Sequence, residues 1–177
     1  MKLNCTIDGT QQSMVVNANK PLNRILEELS DSFVRNHGCL DAGCGNCIVL
    51  INGAARLSCL IPAFRANGAA ILTYAGFRKT RFCHDIERAY AETGIKPCSQ
   101  CYASKTILIG GLLNRYDQTR ASSMIKGDAE NKANYSIYSR DYLEREMGIN
   151  ICKCTDIDDI AKVVELAYTY RRQRSGR

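Results

Sequence analysis

Two patterns of apolar positions divide this chain of 177 residues. The opening segment, Met1 to Asp8, reads MKLNCTID, and Leu3, Cys5 and Ile7 alternate there with polar neighbours. That period of two predicts a half-buried strand, then a turn at Gly9-Thr10 and a second strand from about Gln12 to Val16. After Lys20-Pro21, the residues Leu22, Ile25, Leu26 and Leu29 stand at i, i+3, i+4 and i+7. They form one apolar helix face, and Pro21 suits the first turn. Ile48 to Ile51 is an unbroken apolar run, Asn52-Gly53 is a hairpin signal, and Ala54 to Leu57 returns from it.

Past residue 76 the spacing becomes helical. Phe82, Ile86, Ala89 and Tyr90 mark one helix that ends near Gly94, and Pro97 breaks the chain before Cys98. Ile107, Leu108, Leu112 and Leu113 mark a second helix. Tyr142 to Met147 marks a shorter third, stopped by Gly148, and Ile157, Ile160, Val164 and Ala167 mark a fourth. The polar stretch Arg115 to Ser136 reads as a loop with room for one helical turn. The expected fold class is α+β, with a ferredoxin-like β-grasp unit over residues 1–76 and a four-helix bundle over residues 77–177.

Cysteine changes this picture from architecture to chemistry. The chain holds 10 cysteines, and eight of them form two sets. Cys39-x4-Cys44-x2-Cys47, followed by Cys59, is the plant-type spacing for a [2Fe-2S] cluster. One loop supplies three sulfurs, and the hairpin at Asn52-Gly53 can return the fourth. Gly38, Gly43 and Gly45 interleave the ligands, and with Asn46 they let backbone approach the cluster and offer N–H donors that set its potential. The second set pairs Cys98-x2-Cys101 with Cys152-x-Cys154. Taken alone it serves structural zinc as well as iron, although C-x-C is less usual for zinc and the neighbouring iron motif favours iron. Helix N-termini at these pairs would give thiolates favourable dipoles.

A Rieske centre needs two His ligands at fixed offsets from two Cys, a pattern His37 and His84 do not offer, so ligation is expected to be all-cysteine. Both histidines read as surface or packing residues. Cys5 and Cys83 fall outside both sets and read as buried thiols. No nucleophile elbow, phosphate loop or compact carboxylate pair is present, so no catalytic residue is assigned. Asp156, Asp158 and Asp159 read as helix N-terminal residues.

The opening segment lacks the apolar run of a secretory signal, and no stretch is long enough to span a membrane. A reducing, cytoplasmic setting is therefore expected, where clustered cysteines hold metal rather than pair as disulfides. The formal charge of +6 counts thiols as neutral. Two four-thiolate clusters at about −2 each would leave roughly +2, so no nucleic-acid partner is implied. The tail from Arg171 to Arg177 reads as a solvated helix end whose arginines complement the helix dipole.

The run His37-Gly38-Cys39, then Gly43-Cys44-Gly45-Asn46-Cys47-Ile48-Val49-Leu50, then Ser58-Cys59-Leu60, resembles the small iron–sulfur subunit of molybdenum hydroxylases. That family includes xanthine dehydrogenase, aldehyde oxidoreductase and aerobic carbon monoxide dehydrogenase. Leu72-Thr73-Tyr74-Ala75-Gly76-Phe77 resembles the close of its first domain, and the two cysteine pairs resemble its helical second domain. The resemblance implies a plant-type [2Fe-2S] domain over 1–76 and a helical [2Fe-2S] domain over 77–177. It also implies an electron relay between a large subunit that contains molybdopterin and a medium subunit that contains flavin (FAD). In it, the quartet Cys98, Cys101, Cys152 and Cys154 would face the pterin, and Cys39, Cys44, Cys47 and Cys59 the flavin.

The chain departs from the family at the pterin-facing side. Pro97 replaces a usual Gln, Tyr102-Ala103-Ser104 a usual Thr-Pro-Gly, and Thr155-Asp156-Ile157 a usual Thr-Gly-Tyr. Two further readings follow from these residues. One is a ferredoxin-like carrier of a different oxidoreductase, without pterin contact. The other is an interaction module with one iron cluster and one structural zinc.

Overall fold

The computed structural model describes residues 1–29, 39, 43–126 and 139–175, with the side chains of 120–126 and 175 excepted. Strands β1 (Lys2–Ile7) and β2 (Thr10–Val15) form an antiparallel hairpin in which Ile7 faces Thr10. The turn is therefore Asp8-Gly9, one residue earlier than the sequence pattern placed it, and both residues take positive φ. Asp8 has a reason to sit there. Its carboxylate accepts the Thr73 N–H at 2.7 Å and the Thr73 hydroxyl at 2.6 Å, tying the hairpin to the end of the strand that pairs with β1.

Helix α1 (Leu22–Leu29) follows, and then the cysteine loop leads into β3 (Ile48–Ile51) and β4 (Ala54–Leu57). Asn52 and Gly53 make the hairpin turn with φ of 50° and 81°, values that a two-residue turn of this hand requires. A strand that the sequence reading did not identify, β5 (Ala70–Leu72), completes the sheet in the order β2-β1-β5-β3-β4. It is three residues long, too short for any period to be visible. It pairs parallel with β1 through Ile7 and Ile71, and antiparallel with β3 through Leu50 and Leu72.

The sheet is buried on two sides, which explains why Ile48 to Ile51 is apolar without alternation. Val49 points into one core with Leu3, Leu22, Ile25, Leu26 and Ile71. Ile48 and Leu50 point into the other, which the remaining helices supply. Each such fully buried aliphatic side chain contributes about 2 kcal/mol.

Those helices are α2 (Tyr74–Phe77), α3 (Arg81–Thr93), α4 (Tyr102–Lys126), α5 (Arg140–Met147) and α6 (Ile157–Ser175). Thr80 caps α3 by accepting the Cys83 N–H at 3.2 Å. Helix α4 is apolar all round from Ile107 to Leu113 because it lies between the sheet and the other helices. Glycines at 110 and 111 permit that approach. A Cβ on Gly111 would stand 2.9 Å from the Ala55 Cβ, and one on Gly110 would overlap the Phe77 ring.

Two readings of the sequence are corrected here. Residues 115–126 are not a loop, since α4 continues to Lys126. Their polar side chains are tertiary contacts rather than signs of irregular backbone. Arg115 pairs with Glu146 at 2.6 Å, Tyr116 meets Tyr168 edge-on at 5.3 Å, and Asp117 pairs with Arg171 at 2.9 Å. Residues 127–136 of that expected loop lie outside the described residues. The basic tail is likewise not simply solvated. Arg171 is buried against Phe82, 4.0 Å from the ring centroid, and Arg174 pairs with Asp85 at 2.6 Å, stapling α6 to α3.

Candidate metal centres

In the first set, local backbone brings Cys39 and Cys47 close to Cys44. Cys44 and Cys47 flank Gly45-Asn46, and the Asn46 N–H donates to the Cys44 sulfur at 3.4 Å. Burial pushes the Cys44 thiol up, the Asn46 N–H lowers it, and a bond with Cys39 and the nearby Cys47 raise it again. Cys39 and Cys47 are thus both neighbours of Cys44. Cys59 sits in a 3-10 turn, Ser58–Leu60, directly after β4. Ser58 donates both its N–H, at 3.0 Å, and its hydroxyl, at 2.7 Å, to the Cys47 carbonyl. The hairpin therefore brings Ser58, the residue before Cys59, against the Cys47 backbone, while among the described residues the potential ligands gathered around one point are those of the second set.

The glycines differ in what they do. Gly45 is buried at φ +73°, and a Cβ there would stand 2.5 Å from the Asn150 Cα and run into the Ile149 carbonyl. Gly43 is exposed, and no described residue lies within 4 Å of its Cβ position. Gly38 and His37 lie outside the described residues.

The second quartet is assembled by tertiary structure. The sulfurs of Cys98, Cys101, Cys152 and Cys154 all lie within 4.8 Å of one another. Cys101 and Tyr102 return their N–H groups to the Cys98 carbonyl at 3.0 and 2.9 Å, so the first pair forms the turn that opens α4. The second pair precedes α6, where Asp156 accepts the Asp158 N–H at 2.9 Å, and Asp158 and Asp159 occupy the first turn. The Cys98 N–H donates to the Cys154 sulfur at 3.5 Å across the site.

The four thiols are electrostatically unequal. Burial raises Cys101, and bonds with the Cys152 and Cys98 thiols raise it further, to about 12. Burial also raises Cys154, but the Cys98 N–H, the Cys98 and Cys152 thiols and the Lys105 charge outweigh it and bring it down to about 7. Thiols that crowd one another in this way resist joint ionisation, and a bound cation removes that conflict.

Three residues at this site escaped the sequence reading. Lys105 is buried, and its ammonium donates to the Cys152 carbonyl at 2.9 Å and to the Thr155 hydroxyl at 2.7 Å. Its visible signal was a cation just ahead of the apolar run Ile107 to Leu113. Asn150 accepts the Cys152 N–H at 3.0 Å, and Ser104 stands 2.8 Å from the Asn46 side-chain oxygen. Nothing short of the tertiary fold announces that pair.

Among the remaining residues, Cys5 and Cys83 are buried, as expected. Burial and then the Glu87 charge push Cys83 up to about 12. His84 is exposed and lies 3.4 Å from Glu87. Among the described residues, no helix is long and apolar enough to cross a membrane.

All-thiol donor sets suit soft iron–sulfur ligation. Four sulfurs this close also suit a single tetrahedral ion, whose bonds of about 2.3 Å give S···S edges of about 3.8 Å.

No protein-family model matches the chain. One of the nicotinate dehydrogenase subunits of Pseudomonas putida is 26% identical over 137 residues, covering 77% of this chain and 75% of that one. The xanthine dehydrogenase iron-sulfur-binding subunit of Escherichia coli O157:H7 is 34% identical over 99 residues, covering 56% of this chain and 62% of that one. Among solved structures, a chain of quinoline 2-oxidoreductase from Pseudomonas putida 86 superposes with a TM-score of 0.67 at 25% identity. That match covers 98% of this chain and 96% of the other.

Proposed function

From the premise that this chain is an iron–sulfur, electron-transfer subunit of the molybdenum hydroxylase family, we propose that it holds two [2Fe-2S] clusters. Cys39, Cys44, Cys47 and Cys59 hold one, in a ferredoxin-like β-grasp unit over residues 1–76. Cys98, Cys101, Cys152 and Cys154 hold the other, in a helical unit over residues 77–177, with α2 at the junction. Each cluster supplies one-electron storage at a potential tuned by burial, charge and hydrogen bonds to its sulfurs.

The protein's own residues do the rest. Ser58 returns Cys59 to the first site, the Asn46 N–H stabilises the Cys44 thiolate, and Lys105 places a buried positive charge behind the second site. Gly43 gives the first loop a residue without a side chain, while Gly45 and Asn46 face the second site. Gly38 continues the glycine pattern ahead of Cys39. The partners in this reading, within a cytoplasmic complex, are a large subunit that contains molybdopterin and a medium one that binds FAD.

The observation that carries the two-centre reading is the convergence of two cysteine pairs, from segments fifty residues apart, to within 4.8 Å. The test is metal analysis with EPR on anaerobically purified protein. The expected result is about four irons per chain, negligible zinc and two distinguishable [2Fe-2S] signals on reduction. The same closeness favours one second reading, a structural zinc at the helical quartet. Stoichiometric zinc with a single iron signal would establish it instead.

A further inference from the structure

Between the two quartets lies a buried polar island. Asn150 is 5% exposed, Ser104 is 2% exposed, and both meet Asn46. The Asn150 amide nitrogen stands 2.7 Å from Asn46 Oδ1 and 3.0 Å from Ser104 Oγ, and the same side chain also bonds the Cys101 sulfur. The Gly45 carbonyl stands further off, at 3.4 Å. Ser104 Oγ has one hydrogen to give, and its two acceptors are Asn46 Oδ1 at 2.8 Å and the Cys101 carbonyl at 3.0 Å. Asn150 Oδ1 in turn accepts the Cys152 N–H at 3.0 Å.

Each of the three side chains therefore belongs to a residue that also reaches a cysteine segment. Asn46 reaches Cys44 through its N–H, Ser104 reaches Cys101, and Asn150 reaches Cys152. Gly45 brings the two backbones into direct contact beside them. The island is neutral and satisfied, and a satisfied buried network rigidifies and specifies one geometry. From the Cys44 sulfur to the Cys152 amide the route runs through three hydrogen bonds and the covalent bonds of Asn46 and Asn150, with no gap.

We infer that Asn46, Ser104 and Asn150 form an inter-centre lock. They are positioning residues that hold the two cysteine quartets at one separation and provide the hydrogen-bonded route along which an electron crosses between them. The inference rests on the two-centre reading above. One centre loses the electron that the other gains, no bond forms or breaks, and no proton moves. Dithionite serves as the reductant in the test.

The test uses the full chain purified with its metal, in the variants Asn46→Ala, Ser104→Ala, Asn150→Leu and Asn46→Asp. Asn46→Asp keeps the acceptor oxygen that the network uses. The spin–spin splitting between the reduced centres reports their separation, and rapid half-reduction reports electron equilibration. The expected result is one sharp splitting in the parent and in Asn46→Asp. In Asn46→Ala and Asn150→Leu, iron content holds, the splitting broadens and equilibration slows about tenfold, while Ser104→Ala shows a smaller loss. Exchange of the Cys152 amide should also rise about tenfold in Asn150→Leu, because that N–H loses its buried acceptor.

If Asn150→Leu sheds metal, Asn46→Ala and Ser104→Ala, which leave the Cys152 N–H bonded, carry the decision. Parent-like splitting and equilibration in those variants would overturn the lock and leave the two-centre reading standing. A parent protein with a single iron centre would overturn both.

Discussion

The two cysteine quartets share a donor set but are built in opposite ways. The proposed first site would take three sulfurs from one short loop and the fourth from just past a hairpin, where Ser58 is bonded twice to the Cys47 carbonyl. The second takes two pairs from opposite ends of the helical region and has a buried lysine behind it. A locally built site depends on turn geometry, whereas a tertiary site depends on helix docking and carries whatever charge that docking buries. The two sites should therefore answer differently to the same perturbation.

Removing a ligand separates them most sharply. Cys101→Ser is expected to halve the iron content, to about two per chain, and to erase one EPR signal while leaving the other. Loss of both signals would show that the sites form as one unit.

Joining the sites more tightly should do the reverse and damage both. Gly45→Ala places a Cβ against the Ile149 carbonyl and forces a non-glycine residue to φ +73°. Strain and overpacking together are expected to cost about 3 kcal/mol in chemical unfolding of the metal-loaded protein. An unaltered midpoint would mean that the two loops yield easily.

Charge should distinguish the sites without disturbing either. Lys105→Met keeps the buried volume but removes the cation that bonds the Cys152 carbonyl. The second centre's potential is expected to fall by an amount on the order of 100 mV, since an added electron loses a nearby buried positive charge. Redox titration followed by EPR should find the first centre's potential unmoved, and equal shifts at both would refute a local role for Lys105.

The smallest effect concerns the two cysteines outside both quartets. Cys5 is buried, Cys83 is fully buried, and burial raises both thiols, Cys83 to about 12. Alkylation of the metal-loaded protein at neutral pH is expected to leave both unlabelled by mass spectrometry, because the thiolate is the reactive form.

Much of this comparison was legible in the chain. Strand alternation at Leu3, Cys5 and Ile7, the helix face of Leu22, Ile25, Leu26 and Leu29, and the Asn52-Gly53 turn each reflect a local period or backbone preference. Such signals survive without tertiary context. β5 was not legible, because three residues carry no period and its strand identity comes from its neighbours β1 and β3. The extension of α4 past Arg115 was hidden for the opposite reason. Its polar residues suggested solvent, but Arg115, Tyr116 and Asp117 find partners on α5 and α6.

By itself the sequence determined the thiol donor sets, because ligand spacing within a loop is a property of consecutive residues. The spacing of Cys39, Cys44, Cys47 and Cys59 points to one ligand set, and the pairs Cys98-Cys101 and Cys152-Cys154, counted together, point to the four sulfurs that the fold gathers. The tertiary structure decided the environment of that chemistry. It selected Lys105 as the buried cation, set Cys101 and Cys154 at opposite ends of thiol basicity, and joined Asn46, Ser104 and Asn150 between the two quartets. These are contacts between residues roughly fifty to a hundred positions apart, and burial strengthens them in ways that no local pattern encodes.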